Sequence, residues 1–452
     1  MRVMKWSTIA LAVAAAASTQ LATAAPFVSD QAEAKGFVED AKLTETLKNY
    51  YFNRDNKNGG ADQKDWTQGF LGNFTSGYTQ GTVGVGIDAF GYLAIKLDGG
   101  DGTSGSGNMS RSDFVNPNNG SRDVNDSQGK AGAAIKFRVS KTELKIGDQQ
   151  PSTAPVFAVG GSRLIPQTAS GFQLQSSEVK DLDLEAGHFY SATSQDKNAR
   201  DGELWATYAN VKADSIDYFG GKYGITDNLS ASLYGAKLED IWNQYYANLN
   251  YTIPLGGDQS VNLDGNIYRT TDTGRAEAGE ISNTAFSLAA AYSFLKAHTV
   301  TLAFQKVNGD TPFDYIGVGG HGPSNRGGDS IFLANSIQYS DFNGPGEKSA
   351  QIRYDLKMAE YGVPGLSFMA RYVNGWNIDG TNAPAGGSYV NVYGKDGKHH
   401  ETNFEAKYVV QSGPAKDLSF RIRQAWHTAN ADEGEGDVKE FRLITEYPLN
   451  IL

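Results

Sequence analysis

Segments in which apolar and polar residues alternate recur along most of this chain. Between residues 82 and 98 the odd positions are apolar or small, while the even positions include Thr, Asp, Tyr and Lys. A period of two over that length predicts a β-strand with one apolar and one polar face. Counting such segments from residue 43 onward predicts roughly eighteen to twenty strands. The clearest others are 131–139, 245–255, 261–267, 350–356, 402–410 and 418–422.

The predicted strands are long and their connections are unequal. Several strands run roughly ten to sixteen residues, whereas strands of soluble domains usually have about five or six. Tight links at 226–228 and 256–258 contrast with long ones at 99–128, 310–332 and 377–399. We therefore predict an all-β fold, a transmembrane antiparallel up-and-down β-barrel of about 18 strands with inward-folded loops. A soluble propeller or sandwich, whose strands also alternate, is the alternative.

Composition and hydropathy agree with a barrel rather than with a helical membrane protein. The chain has 53 Gly, 23 Tyr and 22 Phe but only 13 Pro, which suits turns, close strand packing and aromatic belts. Mean hydropathy is negative, and no apolar run of about 18 residues follows the N-terminal region, so no transmembrane helix is predicted. Membrane-spanning barrel strands do not meet this criterion, because their alternating polar residues lower the mean hydropathy of each strand.

The N-terminus has the three regions of a secretory signal peptide. Two basic residues open the chain, a short apolar stretch follows, and Ala22 and Ala24 stand where signal peptidase requires small residues. We predict that residues 1–24 are removed and that residues 25–452 form a single barrel domain. No fixed repeat or linker divides that segment.

Charge and cysteine content exclude several classes of function. The chain carries 40 Lys+Arg against 51 Asp+Glu, a net charge of −11, so nucleic acid is not an expected partner. It has no cysteine, which excludes thiolate metal sites and a cysteine nucleophile. The six histidines are scattered except for His399 and His400, and we expect no metal site and no cofactor.

The polar face of the strands in the last third of the chain is basic. In a membrane barrel this face lines the lumen, and sequential strands are neighbours. Guanidinium groups at successive positions offer bidentate sites along which a carboxylate can pass. The cations expected on this wall are Arg353, Lys357, Arg371, Lys407, Arg421, Arg423 and Arg442, with Lys130, Lys136 and Arg138 facing inward elsewhere.

An alternative is that these cations only solvate a wet lumen. They would then be paired with acids on the same strands, namely Asp355, Glu405, Glu440 and Glu446. The excess of arginine over acid favours a function in transport.

Two loops are predicted to fold into the lumen and narrow it. Residues 150–171, which include Arg163, are too apolar for a solvated loop. The second loop, 310–332, holds Asp314, Asp329 and Ser330. If the two acids face the basic wall, the transverse field favours solutes with both a carboxylate and a cation, as in a basic amino acid or small peptide.

A serine hydrolase is the rival from a different class. Residues 328–331 (GDSI) resemble the nucleophile block of GDSL-type esterases, and Asp396 and His399 have the Asp-x-x-His spacing of that family. However, no helical period surrounds either segment, so we expect no enzyme. A plugged high-affinity transporter would need an N-terminal domain of over about a hundred residues, and the strand pattern begins too early for one.

Eight segments, which together span the chain after the signal peptide, carry a resemblance to a known family: 49–55, 65–70, 88–92, 160–164, 217–233, 329–336, 361–366 and 399–426. They resemble the OprD family of outer-membrane channels. The resemblance implies a Gram-negative outer-membrane barrel of about 18 strands with an arginine-rich ladder, an inward third loop and an acidic constriction. It also implies uptake of small carboxylate-bearing solutes. Within the family the chain resembles the basic amino acid and peptide branch, whose members also admit carbapenem antibiotics.

By position, the resemblance assigns roles to individual residues. The ladder is assigned to Arg353, Arg371, Lys407, Arg421, Arg423 and Arg442, and the constriction to Arg163, Asp314 and Asp329. Two features depart from the family: residues 317–327 put extra residues, including Arg326, between the two acids, and the terminal residue is Leu452 rather than Phe.

The expected function is therefore passive diffusion of small solutes such as amino acids, dipeptides and carboxylates. A general pore without charge selectivity is the alternative. The expected partners are these solutes and outer-membrane lipid, and the expected oligomeric state is a monomer or a weak trimer.

Overall fold

The computed structural model describes residues 26–100, 102–118, 120–319 and 325–452. The predicted signal peptide and the side chain of Arg326 lie outside this part. In chain order the strands are β1 (Lys42–Asn56), β2 (Gln63–Thr75), β3 (Gly84–Gly99), β4 (Arg111–Val115), β5 (Arg122–Val124), β6 (Ser127–Val139), β7 (Thr142–Gln149), β8 (Thr168–Val179), β9 (Leu182–Thr193), β10 (Leu204–Ala206), β11 (Val211–Ala213), β12 (Ile216–Thr226), β13 (Leu229–Leu238), β14 (Trp242–Gly256), β15 (Gln259–Asp272), β16 (Ser282–Phe294), β17 (His298–Asn308), β18 (Ile316–Gly319), β19 (Asn325–Gly327), β20 (Lys348–Lys357), β21 (Leu366–Asp379), β22 (Lys395–Val409), β23 (Ser419–Ala429) and β24 (Val438–Asn450). Two short 3₁₀ helices are Gln31–Glu33 and Met358–Tyr361.

Eighteen of these strands form one antiparallel sheet that closes on itself. Each barrel strand pairs with the next one along the chain, and β1 pairs with β24 from Thr44↔Asn450 to Asn56↔Val438. Closure leaves no sheet edge, which is the condition for a sheet to cross a bilayer. The predicted up-and-down barrel is confirmed. The other described strands, β4, β5, β10, β11, β18 and β19, lie in loops.

Alternation sorts side chains between the two faces of the barrel. On β20, Ile352 is 54% exposed whereas Gln351, its neighbour, is 7% exposed. Leu249, Leu288 and Leu302 are also more than half exposed on other strands. Soluble proteins rarely expose so extensive an apolar surface, so this outward band is the lipid-facing surface. Among the described residues, no helix is long and apolar enough to cross a membrane.

The connections differ between the two ends of the barrel. At the end where β1 begins, they range from two residues, as at 140–141, to nine, at 410–418. The opposite end carries much longer loops, including 150–167, 194–215 and 309–347. Because long loops are extracellular in outer-membrane barrels, we call this end the extracellular mouth. The predicted loop 310–332 is thus the first part of a longer one.

Long loops fill one side of the lumen. Apolar residues of the loops 150–167, 194–215 and 309–347 pack against the inner faces of β9 to β17 in one buried cluster. A small sheet of β11, β10, β18 and β19 joins the second and third of these loops. The largest side chains of the cluster include Phe157, Phe189, Trp242, Tyr268 and Phe313. Polar side chains of β20 to β24 and β1 line the opposite wall.

Candidate functional site

Basic side chains face the lumen from five successive strands, β20 to β24. Arg353 lies directly opposite Arg371 across the β20–β21 pair, and Lys407 lies opposite Arg421 across β22 and β23. Directly opposed side chains have Cβ atoms about 4.5–5.5 Å apart, so the register brings these cations into one continuous line. We call this line the basic row and define it as Arg353, Arg371, Lys407, Arg421, Arg423 and Arg442.

Two carboxylates neutralise one part of the basic row. Arg353 donates to both oxygens of Asp355 at 2.7 Å, a bidentate pair. Glu405 accepts a hydrogen bond from Arg421 at 2.7 Å and lies 3.2 Å from Arg423. One acid therefore serves two guanidinium groups, and the row keeps an excess of positive charge.

A third carboxylate, Glu440, is shared in the same way. It lies 2.6 Å from Arg442 and 2.5 Å from Arg54. Glu446, which the solvation alternative pairs with the row, instead lies 3.2 Å from Lys48 of β1. The acids thus fix the geometry of the guanidinium groups without cancelling their charge.

Arg371 has a neutral partner rather than an acid. Its Nε donates to the Asn403 amide oxygen at 2.9 Å, and Asn403 in turn donates to Glu401 at 2.6 Å. Among the described residues no carboxylate lies within ion-pair distance of Arg371. Arg371 is only 9% exposed, and its remaining N–H groups are of the kind that bind a carboxylate.

Three guanidinium groups surround the ring of Phe52 on the inner face of β1. The distances from the guanidinium carbon to the ring centroid are 5.1 Å for Arg163, 5.4 Å for Arg54 and 5.6 Å for Arg442. The electron-rich face of an aromatic ring attracts cations at this range. Phe52 therefore joins Arg163, on the loop 150–167, to the end of the basic row.

The loop 150–167 crosses the lumen between β15 and β1. At one side the Tyr268 hydroxyl donates to the Pro155 carbonyl at 3.1 Å. At the other, the Tyr50 hydroxyl donates to the Ser162 carbonyl at 3.2 Å and Lys48 donates to the Arg163 carbonyl at 2.8 Å. Because β15 and β1 lie on opposite sides of the closed sheet, this loop narrows the lumen.

Asp314 does not face the lumen, contrary to the prediction. It is 3% exposed and accepts hydrogen bonds from the backbone N–H groups of Tyr208 and Ala209, at 2.9 Å each, and from the Tyr389 hydroxyl at 3.0 Å. Burial raises the pKa of Asp314 to about 6, although these hydrogen bonds oppose the shift. Asp314 joins three loops and cannot contact a passing solute in this conformation.

Asp329 is exposed to the lumen, whereas its neighbour Ser330 is fully buried. The Asp329 N–H donates to the Ala158 carbonyl at 3.0 Å, which ties it to the loop 150–167. Protein surrounding the carboxyl raises the pKa of Asp329 to about 6, and Asp341 adds to the shift. Of the four residues predicted at the constriction, Arg163 and Asp329 are therefore the two that are not buried.

Asp341 is a second acid beside Asp329 that the sequence analysis missed. It accepts hydrogen bonds from the hydroxyls of Tyr208 at 2.8 Å and Tyr315 at 3.1 Å. It lies in an irregular part of the loop 309–347, where no period indicates which side chains point inward. Phe52 and Arg54 were also missed, although their alternate positions on β1 place both on its inner face.

The three inward cations on β6 are structural rather than part of a solute path. Lys130 donates to the backbone carbonyls of Pro166 at 3.0 Å and Ser194 at 2.7 Å, which holds two loops to the wall. Lys136 lies 2.7 Å from Asp88. Arg138 lies over the Tyr78 ring, 3.9 Å from its centroid.

The residues of the hydrolase alternative do not assemble into a catalytic site. Ser330 is fully buried, and among the described residues its hydroxyl has no hydrogen-bond partner. His399 contacts Glu347 and His427 instead. A serine nucleophile needs an adjacent general base, and this arrangement supplies none.

A closed barrel with a lipid-facing exterior, a charged inner wall and an inward loop defines a membrane channel. A family model described as outer membrane porin, OprD family, matches residues 35–451. The chain is 66% identical to Porin D of Pseudomonas aeruginosa, with 100% of both chains covered. It is 35% identical to the porin-like protein GalP of Pseudomonas putida, over 93% of this chain and 95% of that one. The chain belongs to the OprD family of outer-membrane porins.

Solved structures agree with this assignment. The improved crystal structure of Pseudomonas aeruginosa OprD has a TM-score of 0.81 and 62% identity, covering 94% of this chain and 100% of that chain. The structure of Pseudomonas aeruginosa OpdK with vanillate has a TM-score of 0.79 and 34% identity, covering 92% of this chain and 100% of that one. The protein is a substrate-specific outer-membrane channel and not an enzyme.

Proposed function

We propose that this channel admits small carboxylate-bearing solutes by passive diffusion and favours those that also carry a cation. Basic amino acids and small peptides are the best-fitting class, and zwitterionic antibiotics of the carbapenem type fit the same description. The observation that supports the proposal most directly is the position of the basic row and Arg163 on one side of the lumen, with Asp329 and Asp341 carried by the loop 309–347.

The two sets of charges recognise different parts of one solute. A carboxylate exchanges water for guanidinium N–H groups of the row, and successive arginines provide several similar sites without one deep minimum. The ammonium or guanidinium group of the solute is attracted by Asp329 and Asp341. A neutral sugar gains neither interaction. The carboxylate vanillate in the related OpdK supports recognition of a carboxylate in this family.

Uptake into liposomes that contain the purified protein tests the proposal. Arginine and a Gly-Glu dipeptide are expected to enter faster than a neutral sugar of equal size. Glutamate is expected to enter faster than the sugar but more slowly than arginine and the dipeptide. Arg371→Gln should slow the first two solutes several-fold because Asn403 then holds a neutral amide. The matched control is Arg269→Gln, because Arg269 is exposed and bonded to Ser282 and Thr284. Equal entry of all four solutes would identify a general pore.

A further inference from the structure

Two histidines and three glutamates form a buried cluster at the extracellular mouth. It lies nearer the mouth than the basic row on the same strands. The side chains of His399, His427, Glu433 and Glu347 are at most 2% exposed, and that of Glu435 is 22% exposed. One potential ligand atom from each of His399, His427, Glu433 and Glu435 lies within 4.8 Å of all the others.

If Glu347 is ionised, the hydrogen bonds of the two imidazoles leave two lone pairs facing each other. The Nδ1 of His427 lies 2.7 Å from the Gly436 carbonyl, which can only accept, so this nitrogen carries the proton and Nε2 does not. The Nε2 of His399 lies 2.7 Å from Glu347, and an ionised carboxylate requires the proton there. The remaining nitrogens, His399 Nδ1 and His427 Nε2, are 2.9 Å apart. Two acceptors at this distance need a cation or an additional proton.

The carboxylates of the cluster complete this arrangement. Glu433 Oε1 lies 3.5 Å from His399 Nδ1, and Glu435 Oε2 lies 3.8 Å from His427 Nε2. Glu435 Oε2 is buried and has no hydrogen-bond partner. Within the described chain, no Lys or Arg forms an ion pair with Glu347, Glu433 or Glu435. Glu433 and Glu347 each accept a hydrogen bond from a backbone N–H at 2.7 Å, but a buried carboxylate without a cation is unfavourable and favours either a bound cation or a proton.

We propose that His399, His427, Glu433 and Glu435 bind one divalent first-row transition-metal ion, with Zn²⁺ as the best fit. Two neutral imidazoles and two carboxylates form a donor set that zinc accepts, with ligand bonds of about 2.0–2.2 Å. Tetrahedral geometry at those lengths spaces ligand atoms about 3.3–3.6 Å apart. Three of the six separations between ligand atoms, 2.9, 3.5 and 3.8 Å, bracket that spacing, and all four atoms lie within 4.8 Å of one another.

Glu347 and Gly436 support the metal ligands from outside. Metal-binding histidines usually donate their second ring N–H to a carboxylate or a backbone carbonyl, which fixes the tautomer. Here His399 has the carboxylate and His427 has the carbonyl. The sequence analysis expected no metal site, because the four ligands come from β22, β23 and the loop 430–437 without a recognisable spacing.

Metal binding would hold the mouth loops to the barrel wall. Glu433 and Glu435 lie on the loop 430–437, and the Tyr339 hydroxyl on the loop 309–347 donates to the Glu435 carbonyl at 3.1 Å. An ion that binds only the folded arrangement stabilises it. The melting temperature of the metal-free protein should therefore rise when Zn²⁺ is added.

Metal titration of the purified full chain, without a histidine tag and after treatment with EDTA, tests the site. We expect one Zn²⁺ per chain by elemental analysis, and intense visible absorption from tetrahedral Co²⁺ when that ion is used. Glu435→Gln should weaken Zn²⁺ binding by at least about tenfold and leave the barrel folded, because Oε2 makes no hydrogen bond and the amide oxygen of Gln can keep the hydrogen bond with Ser340. His399→Gln combined with His427→Gln should abolish the Co²⁺ absorption.

His188→Gln is the matched control. His188 is exposed and lies 2.7 Å from Asp217, so it is also a histidine beside a carboxylate, and its replacement should change neither readout. The shift of the folded barrel in unheated electrophoresis verifies that each variant is folded. Equal Zn²⁺ affinity in the original protein and the Glu435→Gln variant would overturn the proposal. Absence of Zn²⁺ binding would also overturn the proposal. It would mean that Glu347 carries the additional proton that the cluster of histidines and glutamates requires.

Discussion

Arg423 and Arg442 face each other as direct partners in the register of β23 and β24. Like charges directly opposite each other destabilise a sheet, and the same arrangement recurs at Arg353 and Arg371. A barrel wall that served stability alone would not repeat an unfavourable pair. We therefore attribute the repeated like-charge pairs to the proposed transport role, in which a carboxylate moves between closely spaced cations.

Replacing Arg423 should separate stability from transport. Arg423→Gln removes one member of the like-charge pair, and Glu405 keeps Arg421 as its partner at 2.7 Å. The free energy of unfolding in urea should stay the same or rise by up to about 1 kcal/mol, while arginine uptake falls several-fold. Arg269→Gln serves as the control for both measurements. A large loss of stability with unchanged uptake would assign Arg423 a structural role only.

Asp329 should make the preference for arginine depend on pH. The protein around the Asp329 carboxyl reduces its hydration and raises its pKa to about 6, so the carboxyl is mostly ionised above that pH and mostly neutral below it. The ratio of arginine to glutamate uptake should therefore fall as the pH is lowered from 7.5 to 5, a range chosen about the pKa of Asp329. Asp329→Asn should hold the ratio low at every pH.

The matched control for this measurement is Asp258→Asn, since Asp258 lies at a turn at the opposite end and pairs only loosely, at 3.7 Å, with Lys296. This variant should keep the pH dependence of the original protein. A ratio that still changes with pH in Asp329→Asn would show that another group controls the preference.

Asp314 should affect the loops rather than the selectivity. Asp314→Ala leaves the N–H groups of Tyr208 and Ala209 without their acceptor, at a cost of about 1–3 kcal/mol for each buried group. Recordings of single channels should show more closures and noise, with the arginine-to-glutamate ratio unchanged. The free energy of unfolding should fall as the pH rises, because the raised pKa of Asp314 means that the folded state binds the proton more tightly than the unfolded state does. A changed arginine-to-glutamate ratio without added noise would mean that Asp314 does contact the solute.

The loop 150–167 should become more mobile when two of its hydrogen bonds to the barrel wall are removed. Tyr268→Phe removes the hydrogen bond to Pro155 together with the one that Tyr268 accepts from the Phe332 N–H, and Tyr50→Phe removes the one to Ser162. Each bond contributes about 0.5–1.5 kcal/mol, so either change should increase current noise modestly and the double variant should increase it further. Tyr245→Phe, on the lipid-facing surface at 56% exposure, is the control. Unchanged noise in the double variant would mean that the other contacts of the loop are sufficient to hold it.

The strands of this barrel could be predicted because a period of two reports directly which side chains face lipid. The same alternation placed Arg353, Arg371 and Arg423 on the lumen face. The alternation gave no information in the long loops, where contacts with residues far away in the sequence decide whether a side chain points into the lumen. Asp314 and Asp329 look equivalent in the sequence, and only the contacts of Asp314 with Tyr208 and Tyr389 bury it.

The basic residues of β6 illustrate the same limit. Alternation correctly placed Lys130 and Arg138 on the inner face, but their partners come from other segments of the chain. Lys130 contacts the carbonyls of two loops, and Arg138 contacts Tyr78 and also Gln31, which lies in the segment before β1. Facing the lumen is therefore not sufficient for contact with a solute.

Comparing arginine with argininamide tests the central claim most directly. The two solutes have nearly the same size and the same side-chain cation, but argininamide lacks the carboxylate. If the basic row recognises carboxylates, arginine should enter liposomes several-fold faster, and the difference should disappear in a protein that combines Arg371→Gln with Arg423→Gln. Equal entry of arginine and argininamide through the original protein would contradict the account, since the row would then contribute charge to the lumen without recognising the solute.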